Sequence, residues 1–250
     1  MKLAPALSRR TGFVPFVVAG DPNLSATARY LKALEKAGAD IIEIGVPFSD
    51  PVADGPVIQA AAERALKSGT TLERTLSLIK SLRGSGFRTP VILFTYLNPC
   101  LKFGHERFAA LCADSGVDGV LVVDLPLENA DCVADALARH GLELVLLAAP
   151  TTSDARLRLI GRRSGSIVYY VSREGVTGVR SGLAPGLGAR LKAVRRLVGK
   201  PLIVGFGVAG PEQVRALAAH AAGVVVGSAL AAAAAAGGHN ALTRLARRLV

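Results

Sequence analysis

An apolar, β-branched run followed by an amphipathic helical stretch recurs eight times along 250 residues, and this alternation restricts the folds open to the chain. The strand-like runs are Phe13–Ala19, Asp40–Val46, Pro90–Tyr96, Val117–Asp124, Glu143–Ala148, Ser166–Val171, Pro201–Gly205 and Ala222–Val226. Between them, Leu24–Gly38 carries Tyr30, Leu31, Leu34 and Ala37 on one helical face and ends at a glycine. Glu106–Asp114 repeats the pattern with Phe108, Leu111 and Cys112, and Pro211 opens a further helix over Glu212–Ala219. Two strand-to-strand steps, the second to third and the sixth to seventh, are longer than the rest. No Ser- or Pro-rich linker divides the chain. Count and length together predict an α/β fold of the (β/α)₈ barrel (TIM barrel) type, as one domain over residues 1–250. A doubly wound open sheet would want a GxGxxG turn after the first strand, and Gly20-Asp21-Pro22 is not one.

In such a barrel the chemistry sits at the C-terminal ends of the strands. The second strand is the informative one. Period-two alternation puts Ile42 and Ile44 on one face and Ile41, Glu43 and Gly45 on the other, so one acid lies within a buried strand. A buried carboxylate is costly without a partner or a task. The loop that follows, VPFSDPVADGP, adds Asp50 and Asp54. Asp-Pro and Asp-Gly turn chemistry explains such a loop in an arbitrary chain, but its place on the barrel rim favours an acid–base pair, Glu43 and Asp54.

The other enlarged loop, Ser172–Gly182, combines glycines, hydroxyls and two arginines, a composition suited to movement and to backbone N–H groups facing an anion. Gly205-Phe206-Gly207 follows the seventh strand, and Gly227-Ser228 follows the eighth and opens a helix. Glycines and a helix N-terminus at these positions predict a phosphate site. Phe16, Tyr96, Tyr169 and Phe206 lie in or just after strands and suggest a flat ring bound beside the carboxylates. No lysine ends a strand on this rim, which argues against a Schiff base. His105, His140, His220 and His239 fall in helices or connections, and Cys100, Cys112 and Cys132 lack metal-ligand spacing, so no metal is expected and the thiols read as reduced.

The net charge of +11 is the excess of 30 basic over 19 acidic residues, the basic ones spread along helices such as Ala155–Arg163 and Ala189–Arg196. Aromatics do not interleave with them and no nucleic-acid-binding pattern accompanies them, so the charge reads as a solvated surface that attracts anions. The apolar run Ala221–Gly238 is interrupted by glycines and reads as strand, turn and helix, with Ala231–Ala236 plainly helical. MKLAPALSRR has no signal-peptide core. A cytoplasmic protein is expected.

The segments PFVVAGDP, EIGVPFSDPVADGPVIQ, YLNP, DLP, APTT, YYVSREGVTG, GFGVAGPEQV and VVVGSAL, in that order, resemble the tryptophan synthase alpha chain family over nearly the whole length. The resemblance implies cleavage of indole-3-glycerol phosphate to indole and glyceraldehyde 3-phosphate, a retro-aldol reaction in tryptophan biosynthesis. It implies no cofactor in this chain, and a partner beta chain that carries pyridoxal phosphate in an alpha2beta2 heterotetramer. Carried over residue by residue, it makes Glu43 the general acid–base and Asp54 the indole-orienting carboxylate. Phe16, Tyr169 and Phe206 would line the ring pocket, and Thr177 would belong to a mobile loop closing over Asp54. Gly178, Gly207, Gly227 and Ser228 would grip phosphate, and Pro51 and Asn98 would meet the beta chain. Ala222 and Phe94 depart from common family choices, without touching these residues. Two alternatives share the same residues: a stand-alone lyase releasing free indole, and an idle subunit that only activates a beta chain. Intact Glu43 and Asp54 speak against the second.

Overall fold

The computed structural model describes residues 3–8, 11–171, 186–205 and 210–250. In chain order the first half runs α1 (Leu3–Ala6), β1 (Gly12–Val18), α2 (Leu24–Lys36), β2 (Ile42–Gly45), α3 (Pro56–Lys67), α4 (Leu72–Gly84), β3 (Val91–Thr95), α5 (Leu97–Leu101), α6 (His105–Asp114) and β4 (Gly119–Val122). A 3₁₀ turn at Leu127–Asn129 leads into α7 (Ala130–Arg139). Then come β5 (Glu143–Leu144), β6 (Leu146–Ala148), α8 (Asp154–Arg163), β7 (Val168–Val171), α9 (Leu187–Val198), β8 (Leu202–Gly205), α10 (Pro211–Ala218), β9 (Gly223–Val226) and α11 (Ser228–Leu249).

The strands form one parallel sheet in the order β5-β4-β3-β2-β1-β9-β8-β7-β6. Its two ends are adjacent in sequence. The run read as one fifth strand, Glu143–Ala148, is split at Val145. Its first part pairs with β4 and its second with β7, while Val145 N–H still donates to Val120 O at 2.8 Å. The ring is therefore an eight-stranded barrel with one interrupted stave, the fold expected from the alternation. All other strands fall within two residues of their expected ends. Pro90 and Pro201 precede their strands and act only as acceptors, from Ile42 and Val168 N–H.

Alternation along each strand sorts its side chains. Val14, Phe16, Ile92, Leu121, Tyr169 and Ile203 fill the interior, whereas Phe13, Ile42, Ile44, Leu93, Tyr170 and Val204 face the surrounding helices. At the N-terminal end of the strands, α1 stoppers the barrel with Leu3, which is fully buried. Gly119 makes room for it, since a Cβ there would lie 2.7 Å from the Leu3 Cδ1.

Local signals start and stop the helices as the sequence predicts. Asn23 accepts from Ala26 N–H at 2.9 Å to cap α2, and Gly38 leaves that helix with φ +96°. Pro211 is the first residue of α10. The Ala231–Ala236 run is helical within α11, which kinks at Gly237 and Gly238. The long step between the second and third strands holds an additional helix, α3, directly after the acidic loop. Its buried face is Ile58, Ala61, Ala62 and Ala65, at helical spacing.

Helices α8 and α9 touch through Gly161, where an added Cβ would lie 2.2 Å from the Val198 carbonyl oxygen. Helix propensity alone favours Gly161→Ala by about 1 kcal/mol. The contact is with rigid backbone, so the substitution is expected to destabilise the fold by about 1–3 kcal/mol instead. A lower urea midpoint at unchanged slope would bear this out, and a raised midpoint would contradict the packing.

Candidate active site

Strand β2 carries Glu43 into the barrel interior, as its alternation with Ile42 and Ile44 requires. The carboxyl is fully buried, and neither oxygen has a hydrogen-bond partner among the described residues. Desolvation pushes its pKa up from 4.5 to about 8. At neutral pH the group is therefore mostly a neutral acid, yet close enough to its pKa to give up and regain a proton.

Neighbouring strands place aromatics beside it. Phe16 on β1 is in direct register with Glu43. Its ring lies over Gly45, where a Cβ would approach the Phe16 Cζ to 2.6 Å, and meets Phe94 edge-on at 5.3 Å between centroids. Tyr169 on β7 is buried, and the charges of both Glu43 and Asp54 help to hold its hydroxyl in the protonated form, after burial itself. The Tyr169 hydroxyl occupies the space over Gly205, 2.0 Å from where a Cβ would stand.

Asp54 ends the loop after β2 and is also buried. The Tyr96 hydroxyl donates to its Oδ2 at 2.8 Å and accepts from Ala53 N–H at 3.1 Å. The Gln59 amide donates to the Asp54 carbonyl oxygen at 2.7 Å. Burial raises the Asp54 pKa, and the Tyr96 hydrogen bond works against that rise. Tyr96 in turn stacks on Phe48, with centroids 4.9 Å apart. The sequence marked Tyr96 as a pocket aromatic; its bond to a carboxylate 42 residues away had no sequence signal.

At the end of β9, one strand beyond β1, Gly227 and Ser228 lead into α11, and the first N–H groups of this long helix start there. Ser228 is buried. A Cβ on Gly227 would stand 3.1 Å from the Phe16 Cδ1, so this glycine gives clearance to a ring as well as to backbone. The ring pocket and the α11 N-terminus are thus contiguous. Thr177, Gly178, Phe206 and Gly207 lie outside the described residues. Pro51 is half-buried in the loop after β2, and Asn98 is exposed on α5. The Ala53–Tyr96 bond draws these two segments together, where Val52 and Leu101 are 76% and 49% exposed. Among the described residues, no cluster of His, Cys, Asp and Glu could hold a metal ion.

Fold and site define a class: a (β/α)₈ barrel with a buried acid and a second carboxylate at the strand ends, next to a helix N-terminus suited to an anion. The family model for "Tryptophan synthase alpha chain" matches residues 4–248. The chain is 52% identical over 221 residues to the tryptophan synthase alpha chain of Caulobacter vibrioides, covering 88% of this chain and 80% of that one. It is 50% identical over 218 residues to that of Halalkalibacterium halodurans, covering 87% and 82%. Among solved structures, a chain of the tryptophan synthase a2b2 complex from Pyrococcus furiosus superimposes with a TM-score of 0.90 at 39% identity, over 96% of this chain and 98% of that one. A chain of tryptophan synthase from Mycobacterium tuberculosis does so with a TM-score of 0.90 at 34% identity, over 99% and 96%. The chain belongs to the tryptophan synthase alpha chain family.

The Glu43 environment has a consequence for stability. Its carboxyl titrates near 4.5 in an unfolded chain and at about 8 in the barrel, so the folded state holds its proton more tightly. The resulting stability is fully present below about pH 4.5 and is lost as pH rises through 8. Glu43→Gln removes this dependence. Wild type is expected to lose about 3–5 kcal/mol relative to the variant between those limits. Urea midpoints of both proteins from about pH 4 to pH 9 test this, and a gap that stays constant would contradict the buried, shifted carboxyl.

Proposed function

We propose that this chain cleaves indole-3-glycerol phosphate to indole and glyceraldehyde 3-phosphate, with Glu43 as the general acid–base and Asp54 as the group that holds the indole N–H. The observation that carries this reading is the Glu43 carboxyl, buried without a hydrogen-bond partner among the described residues and flanked by the rings of Phe16 and Tyr169. Such a group meets both demands of the reaction. As an acid it delivers a proton to the ring carbon that bears the side chain, leaving a carboxylate and a cationic indolenine. That carboxylate then removes the proton from the adjacent side-chain hydroxyl. The carbon–carbon bond breaks, its electrons restore the aromatic ring, and the hydroxyl carbon becomes an aldehyde. Glu43 ends with the proton count it began with. Each transfer is worth about 10²–10⁴ in rate.

Asp54 is oriented by Tyr96, which donates to Oδ2 and leaves Oδ1 for the indole N–H. A carboxylate there stabilises the positive charge that ring protonation creates. Phe16 and Tyr169 would flank the ring, and the Gly227–Ser228 turn would take the phosphate, with Thr177, Gly178, Phe206 and Gly207 assigned to the same pocket and phosphate site on sequence grounds.

The same reading includes a beta-chain partner in an alpha2beta2 assembly. The solved complex from Pyrococcus furiosus supports it, as does the exposed apolar rim near Pro51 and Asn98. Pyridoxal phosphate would belong to that partner, and this chain would work without a cofactor of its own, as one barrel domain. No helix among the described residues is long and apolar enough to cross a membrane, which agrees with a cytoplasmic setting.

Indole release from indole-3-glycerol phosphate tests the assignment. Glu43→Gln is expected to lose at least about 10³-fold in kcat, since it removes both proton transfers. Wild type should be slow alone and strongly accelerated by a beta chain. Equal rates with and without the partner would favour a stand-alone lyase, and an active Glu43→Gln would contradict the role of Glu43.

A further inference from the structure

Helix α3 joins two places that matter. Its first turn follows Asp54 directly, with the Gln59 amide bonded to the Asp54 carbonyl oxygen. Near its other end, Arg64 makes a two-pronged ion pair with Asp21 in the loop after β1: Nε to Oδ1 at 2.7 Å and Nη2 to Oδ2 at 2.8 Å. Asp21 is 7% exposed. Both ends of α3 thus meet loops at the C-terminal side of the barrel, with roughly 12 Å of helix between Pro56 and Arg64.

Along its length α3 packs on β1 and α11 mostly through small side chains. Its buried face is one isoleucine and three alanines, Ile58, Ala61, Ala62 and Ala65. Methyl groups bury little area and interlock weakly, so such a face resists sliding and rotation poorly. Position must then be fixed at the ends. At the C-terminal end further contacts adjoin the fork: the Ser68 hydroxyl donates to the Gly20 carbonyl oxygen at 3.2 Å, and Gly20 (φ +87°) packs so tightly on Thr70 that no side chain would fit. Gly20 N–H donates to the Thr27 hydroxyl at 2.9 Å, which anchors this loop to α2. The loop after β1 is therefore a fixed post, and the Arg64 fork is the strongest tie to it. A bidentate guanidinium–carboxylate pair fixes both distance and orientation, which a single bond does not.

We propose that Asp21 and Arg64 are positioning residues for Asp54, setting through α3 where the loop after β2 holds that carboxylate. The proposal rests on the reading of Asp54 as the group that receives the indole N–H. A small displacement of such a group is costly, because an ångström of misplacement is worth about a hundredfold in rate.

A double-mutant cycle tests the link in the full chain with a beta chain present. The four proteins are wild type, Arg64→Gln, Asp54→Asn and the double variant. Each is assayed for kcat and KM with indole-3-glycerol phosphate, and for affinity to an uncleavable analogue that keeps the indole and the phosphate but lacks the side-chain hydroxyls. Arg64→Gln is expected to lower kcat about tenfold when Asp54 is present and less than twofold when it is absent. Analogue affinity should show the same non-additivity, which covers the case of an Asp54→Asn protein too slow to assay. Arg64→Lys keeps the charge, gives up the fork and folds if Arg64→Gln does not; it is expected to show an intermediate loss with the same dependence on Asp54. An equal loss in both backgrounds, or no loss in either, overturns the proposal and leaves the pair as a structural tie. If Asp54→Asn alone leaves rate and analogue affinity unchanged, it is the reading of Asp54 that fails.

Discussion

The barrel is built around a cost: a carboxyl is taken out of water on β2 and, among the described residues, given no hydrogen bond in return. In such a place the charged form is strongly disfavoured, so the group keeps its proton until about pH 8. That is a stability liability at alkaline pH and a chemical asset near neutrality. Much of the surrounding geometry follows from keeping this site apolar but not filled. Gly45 and Gly205 stand where a Cβ would collide with Phe16 and Tyr169, and a Cβ at Gly227 would crowd Phe16. The rings can then line the space around Glu43.

The two carboxylates are distinguished by their surroundings. Glu43 sits within a strand, where register fixes it against Phe16 and Ile92. Asp54 sits in a loop, and its position depends on hydrogen bonds contributed by other parts of the chain: Tyr96 from the end of β3, and Gln59 from α3. One is a buried acid tuned by desolvation, the other a carboxylate oriented by donors. Under the proposed roles, pushing the two environments apart would let a single pocket supply proton transfer and charge stabilisation together.

The sequence makes the first of these far more legible than the second. Strand periodicity is local, so the placement of Glu43 opposite Ile42 and Ile44 could be read from five residues. The barrel itself follows from repeated local patterns and from length. The split of the fifth strand at Val145 was not legible, because Glu143–Ala148 is uniformly strand-like and only the barrel's closure interrupts it. Nor was α3, whose alanine-rich face gives a weak periodic signal and follows a loop dense in proline and aspartate. The tie from Tyr96 to Asp54 and the fork from Arg64 to Asp21 join residues 42 and 43 positions apart, and nothing local announces either. Gly227 shows a different limit. Its position after a strand suggested close approach to an anion, and the structure adds a neighbour, the Phe16 ring, that only the fold brings there.

The central claim is that the barrel holds Glu43 as a neutral acid near physiological pH. The direct measurement is the titration of that one carboxyl, followed by the NMR shift of a labelled glutamate carboxyl carbon and assigned by its loss in Glu43→Gln. A midpoint near 8 is the result the account predicts. A midpoint in the ordinary glutamate range, about 4 to 5, would mean the group is solvated or paired, and the case for Glu43 as the proton carrier would go with it.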